Sequence, residues 1–164
     1  MKTRSALRVR DLEAGEEPIL WDLFYTTIRT INTRDYTEAQ VRAWAPDGFD
    51  PALWAKKMDS IAPFVAEAGS EIVGYSDLQP DGLIDHFFVH HRWQRRGVGR
   101  ALMTEIERRA AERGIGRLYT HASITARPFF EAFGFVVVDE DPLELDGERL
   151  TNFLLQRELQ RNDN

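Results

Sequence analysis

The segment Gln94-Arg95-Arg96-Gly97-Val98-Gly99-Arg100 constrains this chain more than any other, because it joins an apolar, strand-like run, Ile84 to Val89, to a helix-like run from Ala101 to Arg113. The first backbone N–H groups of a helix have no intrahelical acceptor, and the helix dipole adds partial positive charge there. An anion docked at that end satisfies both. Gly97 and Gly99 carry no Cβ, so the main chain is able to come close to a diphosphate, while Arg95, Arg96 and Arg100 supply charged donors. The turn reads as a phosphate-binding corner rather than as a helix start with a solvated basic face.

The rest of the composition narrows what such a corner serves. A chain of 164 residues with 43% hydrophobic content suits one domain, residues 1–164. Its formal charge of -6 argues against a nucleic-acid partner and suits a cationic small molecule or basic peptide better. The absence of cysteine excludes disulfides, thiolate nucleophiles and cysteine-ligated zinc. His90 and His91 are adjacent while His86 and His121 fall on different strands, so no metal-ligand spacing exists and no metal is expected. Met1-Lys2-Thr3-Arg4 is not followed by an apolar signal core, and no run approaches the ~20 apolar residues of a membrane span. The expected setting is the cytoplasm, away from any membrane.

Periodicity supplies the elements. Ala6 to Arg10 alternates as a half-buried strand, and Glu16 to Ile31 is an amphipathic helix with Pro18 in its first turn. Thr37-Glu38-Ala39-Gln40 is a capping box opening a short helix, and Asp50-Pro51 starts another through Lys57 or Met58. Strands then follow over Pro63 to Ala68, Glu71 to Leu78 and Leu83 to Val89, expected as an antiparallel meander. After the helix, Arg117 to Ala122 is a strand parallel to the one before it, by the right-handed crossover rule. Ser123 or Thr125 caps a short helix carrying Phe129, Phe130 and Phe133, and a final hairpin turns at Asp146-Gly147 to return over Arg149 to Arg157.

Gln94, Gly97 and Gly99 match the signature of the GNAT superfamily of acetyl-CoA-dependent N-acetyltransferases: Gln or Arg, two residues, Gly, one residue, Gly or Ala. Ala122-Ser123, Ala126, Phe129-Phe130-Glu131 and Gly134-Phe135 resemble the later strand-helix motif of the same family. The resemblance implies an α/β fold of α+β type: a mixed, mainly antiparallel central sheet of about six to seven strands, flanked by helices, with a V-shaped split between two central strands. Acetyl-CoA is expected in that split. Its diphosphate would rest on Arg95, Arg96, Gly97, Val98, Gly99 and Arg100, its pantetheine arm on main-chain groups of Phe87, Phe88 and Val89, and Gln94, Ser123, Phe129 and Phe130 would complete the cofactor site.

The implied reaction is direct attack of a primary amine on acetyl-CoA in a ternary complex, with proximity supplying much of the rate. The acceptor, a small-molecule amine or basic peptide, must first lose a proton. Asp85 is one base for it and His86, with an ordinary pKa of about 6.5, the other. Alternation along a strand lets only one of the two face the acceptor. Many relatives carry a tyrosine that protonates the departing thiolate where this chain has Phe130, and asparagine where it has His121; Ser123 and Tyr119 are the hydroxyls that replace that acid. Tyr36 and Trp44, in an aromatic helical arm, and Asp77 are expected acceptor contacts. Two other readings compete: a catalytically weak acyl-CoA-binding regulatory domain, which the loss at Phe130 favours, and an anion-binding interaction module. Assembly as a homodimer is allowed for.

Overall fold

The structure, a computed structural model, describes residues 6–160. The reading of Met1-Lys2-Thr3-Arg4 lies outside the described residues. Two apolar clusters sandwich the strands, because β2 (Phe64–Ala68) sends Phe64, Ala66 and Ala68 to one face and Val65 to the other. On the first face lie α4 (Val98–Arg113), with Val98, Leu102, Met103, Ile106 and Ala110 buried, and the short α5 (Arg127–Ala132). On the second lie α1 (Glu17–Ile31), α2 (Glu38–Trp44) and α3 (Pro51–Ile61). Layers on both faces of a sheet are what a chain with two apolar sides requires.

Caps define the helices as the sequence implies. The Thr37 hydroxyl accepts the Gln40 N–H and the Gln40 side chain accepts the Thr37 N–H, while Asp50 accepts from Ala52 and Leu53. Helix α3 runs past Met58 to Ile61 because Ile61 continues its buried stripe; Ala62, at φ 47°, then ends it. Helix α4 begins at Val98, inside the glycine-rich turn, rather than at Ala101. The N-cap of α5 is Ala126, and the Ser123 hydroxyl accepts its N–H at 3.0 Å; Thr125 instead donates to Asp35. Among the described residues no helix is long and apolar enough to cross a membrane.

Among the described residues the strands form two four-stranded sheets and a two-stranded one, where six to seven strands in one sheet were expected. The first sheet is antiparallel, in the order β1 (Leu7–Asp11), β2, β3 (Glu71–Ser76), β5 (Phe87–Val89). The second orders β4 (Leu83–Ile84), β6 (Arg117–Ser123), β10 (Asn152–Glu158), β7 (Val136–Glu140), with β4 and β6 parallel. The third pairs β8 (Leu143–Leu145) with β9 (Glu148–Leu150) across Asp146-Gly147. The return strand expected over Arg149 to Arg157 is therefore interrupted at Thr151, and its second part inserts between β6 and β7.

The largest departure is the run Leu83 to Val89, expected as one strand and divided at Asp85-His86 between the two sheets. Side chains hold the division open. Where β3 would continue the ladder, the Asp77 carboxylate accepts the His86 N–H at 2.6 Å and the Ser76 hydroxyl donates to the His86 carbonyl at 2.7 Å. On the β6 side, the Thr120 hydroxyl donates to the Ile84 carbonyl at 2.9 Å. All three side chains are buried, so each removed bond would leave an unsatisfied backbone group. Ser76→Ala should lower unfolding free energy by about 1–3 kcal/mol in urea titration; a change near zero would show that the hydroxyl does not brace the division.

Candidate functional site

At the division, β5 presents one edge with no strand against it among the described residues. It pairs with β3 through Gly74–Val89, Tyr75–Phe88 and Ser76–Phe87, and the His90 N–H donates to the Val73 carbonyl at 2.8 Å. Opposed residues of an antiparallel ladder exchange hydrogen bonds at every second position. Phe88 therefore directs its N–H and C=O at Tyr75, while Phe87 and Val89 turn theirs to the other edge. The Val89 carbonyl is met there by Gln94 Nε2 at 2.8 Å and the Thr27 hydroxyl at 3.3 Å. Gln94 thus braces the turn on the end of β5.

The turn itself exposes donors. Arg95 and Gly97 sit at φ 58° and 86°, left-handed conformations of the kind that form anion-binding concavities of successive N–H groups. The first helical bond of α4 runs from Ala101 N–H to Gly97 carbonyl, leaving the N–H groups of Val98, Gly99 and Arg100 without helical acceptors. Arg95, Arg96 and Arg100 are exposed; Arg96 lies over Trp93 at 4.4 Å and Arg100 over Phe133 at 5.4 Å from the ring centroid. Gly99 has a further reason to be glycine, since a Cβ there would stand 2.7 Å from the Phe129 ring. Phe129 and Phe130 pack on Phe87 at centroid distances of 5.0 and 5.4 Å, so these rings join α5 to β5 on the α4 side.

Toward α1 and α3 the same division presents polar groups. Asp85 accepts from Lys57 of α3 at 2.7 Å, with the pair partly exposed. His86 is ringed by Phe24, Trp54, Tyr75 and Phe88, and its Nδ1 lies 2.9 Å from the Tyr75 hydroxyl. Both residues reach the α1–α3 side, although alternation allowed only one; the division at Asp85-His86 suspends the two-residue period. Desolvation holds the His86 pKa down at about 4, with Asp85 opposing and Lys57 reinforcing, so the ring is neutral near pH 7.

Other expected residues are placed differently. Asp77, expected as an acceptor contact, is wholly buried and accepts from the His86 N–H and from Gln79 Nε2, each at 2.6 Å, so it braces β5. Tyr36 is buried, its hydroxyl donating to the Thr151 carbonyl and accepting the Ile124 N–H, with half-buried Trp44 edge-on to it at 5.8 Å. That pair ties the arm to the second sheet. Tyr119 donates to Asp81, four residues and roughly 13 Å along β6 from Ser123. His121 pairs with Asp141 at the surface. Sequence reasoning missed Lys57, Tyr75, Ser76 and Thr120; only the density of hydroxyls on the flanking strands hinted at the last two.

Residues 32–156 match the family model described as Acetyltransferase (GNAT) domain. The chain is 30% identical over 150 residues to the uncharacterized N-acetyltransferase YafP of Escherichia coli (strain K12), covering 92% of this chain and 95% of that one. A GCN5-related N-acetyltransferase from Rhodopseudomonas palustris superposes with a TM-score of 0.89 at 28% identity, covering 97% and 99% of the two chains. The PaiA N-acetyltransferase of Thermoplasma acidophilum, solved in complex with coenzyme A, shares the fold at a TM-score of 0.71 and 15% identity, covering 94% and 99%.

Burial raises the Asp77 pKa from the usual 3.8 to about 6, against the His86 N–H and Gln79 bonds that lower it. The folded state then binds this proton more tightly than the unfolded chain. Stability from Asp77 is fully present below about pH 4 and is lost as pH rises through about 6, by roughly 3 kcal/mol. Asp77→Asn should remove that loss, so urea-derived stabilities of the two proteins should diverge by that amount between pH 4 and pH 7. Parallel pH profiles would contradict it.

Proposed function

The chain belongs to the GNAT family of acetyl-CoA-dependent N-acetyltransferases, and from that premise we propose that it acetylates a primary amine by direct attack in a ternary complex. The observation that carries this reading is the unpaired edge of β5 standing beside a turn of unpartnered N–H groups and exposed arginines. Arg95 to Arg100 would hold the diphosphate at the start of α4. Main-chain groups of Phe87 and Val89 would pair with the pantetheine arm in a V-shaped gap between β5 and β6, with Phe88 turned to the acceptor side. When bound, acetyl-CoA supplies an acetyl group activated as a thioester.

The protein's own residues do the remainder. Asp85, partly exposed on the acceptor side, would take the proton of the incoming ammonium, directly or through a water. Ser123, at the end of β6 beside the gap, is the better placed hydroxyl to protonate the leaving thiolate, because Tyr119 is already committed to Asp81. Lys57 holds the Asp85 carboxylate in place at 2.7 Å, on the side where α3 would meet the acceptor. The acceptor would be a small-molecule amine or basic peptide entering between the arm and β5, with Trp44 and the ring of Tyr36 behind it.

Acetyl-CoA should raise the melting temperature where inorganic phosphate at equal concentration does not. Arg96→Glu, at an exposed position, should weaken acetyl-CoA binding about 10- to 100-fold by calorimetry while leaving the unliganded melting temperature within a few degrees. Equal shifts with phosphate, or unchanged affinity in the variant, would remove the diphosphate placement. Thiol release across polyamines, amino acids, aminoglycosides and lysine peptides identifies the acceptor; with it, Asp85→Asn should cut kcat about 10²- to 10⁴-fold. An undiminished kcat would move the base elsewhere.

A further inference from the structure

We propose that the Tyr75 hydroxyl holds His86 in the tautomer protonated on Nε2, so that His86 serves acetyl transfer as a hydrogen-bond donor and not as its base. The proposal rests on the reading of β5 as the transfer site. Tyr75 is fully buried, and its hydroxyl has one partner among the described residues, His86 Nδ1 at 2.9 Å. Burial also keeps the phenol protonated, well above its ordinary range. A sealed hydroxyl that donates to nothing is strongly disfavoured, and Nδ1 is the acceptor within reach. A nitrogen that accepts carries no proton, so the single proton of a neutral imidazole sits on Nε2.

The surroundings support a neutral ring with an open Nε2. Rings of Phe24 from α1, Trp54 from α3, Tyr75 from β3 and Phe88 from β5 enclose the imidazole. The charged groups facing it oppose one another: Asp85 favours its protonation, Lys57 disfavours it, and Asp77 is taken up by the backbone N–H of His86 itself. Nε2 has no hydrogen-bond partner among the described residues. Among the described residues the one sealed side-chain nitrogen without a partner is His91 Nδ1, so His86 Nε2, which also lacks a partner, is not fully sealed.

The proton inventory then assigns roles. Acetyl transfer forms a bond between the acceptor nitrogen and the acetyl carbonyl carbon and breaks the carbon–sulfur bond, the sulfur leaving with the electron pair. An ammonium acceptor gives up two protons, one before it attacks and one from the tetrahedral adduct, and the sulfur takes up one through Ser123 or solvent. His86 has no free lone pair to receive the first, since the Nδ1 pair accepts from the Tyr75 hydroxyl and Nε2 is already protonated. Asp85 has one. Nε2–H is instead suited to meet an oxygen that gains negative charge during the transfer. Tyr75 is a positioning residue: it acts through the imidazole.

Long-range ¹H–¹⁵N correlation spectra of the unliganded protein read the tautomer directly, with the His86 signals assigned by their loss in His86→Gln. The expected pattern is protonated Nε2 and bare Nδ1 from pH 6 to 9, and in Tyr75→Phe a shift of at least about fivefold toward the other tautomer. A proton on Nδ1 in the wild type overturns the proposal. Because this readout needs no cofactor, it stands apart from any failure of acetyl-CoA to bind. In turnover, His86→Gln keeps an N–H donor without a base and should stay within about tenfold of wild-type kcat with the same pH profile, whereas His86→Leu should lose on the order of 10²-fold. If His86→Gln falls as far as His86→Leu and also loses the acidic limb of the profile, His86 is the base and the proposal fails.

Discussion

A buried carboxylate accepting a backbone N–H is the interaction on which the rest of this molecule depends. Asp77 takes the N–H of His86 at the position where β3 would otherwise offer its own carbonyl, and with Ser76 it substitutes side chains for the last rung of a ladder. The chain can then leave β4 in one sheet and enter β5 in another. An edge of β5 is opened inside the protein, a place where edges are normally paired or covered. Keeping a carboxylate there works against stability near neutral pH, as its raised pKa shows. Local rules broken at such a point are a common mark of a functional site.

The two ends of the division have different chemistry. On the α4 side, Phe87 meets Phe129 and Phe130, and Gly99 lets α5 close onto α4, so this side is rigid and apolar. On the α1–α3 side, Asp85, Lys57 and His86 stand among aromatic rings. A cofactor held by main chain and helix terminus on the first side leaves the second for an acceptor. The glycines of the turn thus divide their work. Gly97 supplies a backbone conformation, and Gly99 supplies room for a neighbouring helix.

Much of this was legible. The caps at Thr37 and Asp50 and the buried stripe of α4 each have a local signal of a few residues and form as read, and β4 and β6 pair in parallel as the crossover rule implies. The division of Leu83 to Val89 was not legible, because its cause lies on β3 and β6 and the run itself is uniformly apolar on either side of Asp85-His86. Tyr75 was hidden for a related reason. The β2–β3 register shifts by one residue at Val73, so Ile72 and Tyr75 face the arm while Val73 packs toward α4. Lys57 carries no local signal of a partner, since most helical lysines are simply solvated.

Amide hydrogen exchange at β5 with and without acetyl-CoA tests the central claim most directly. The account predicts that the Phe87 and Val89 N–H groups exchange fast in the unliganded protein and slow at least tenfold on binding, because they face the unpaired edge, while Phe88, bonded to Tyr75, is protected in both states. Unchanged exchange at Phe87 and Val89 under saturating acetyl-CoA would contradict it, and would mean that the edge opened by Asp77 is not where the cofactor lies.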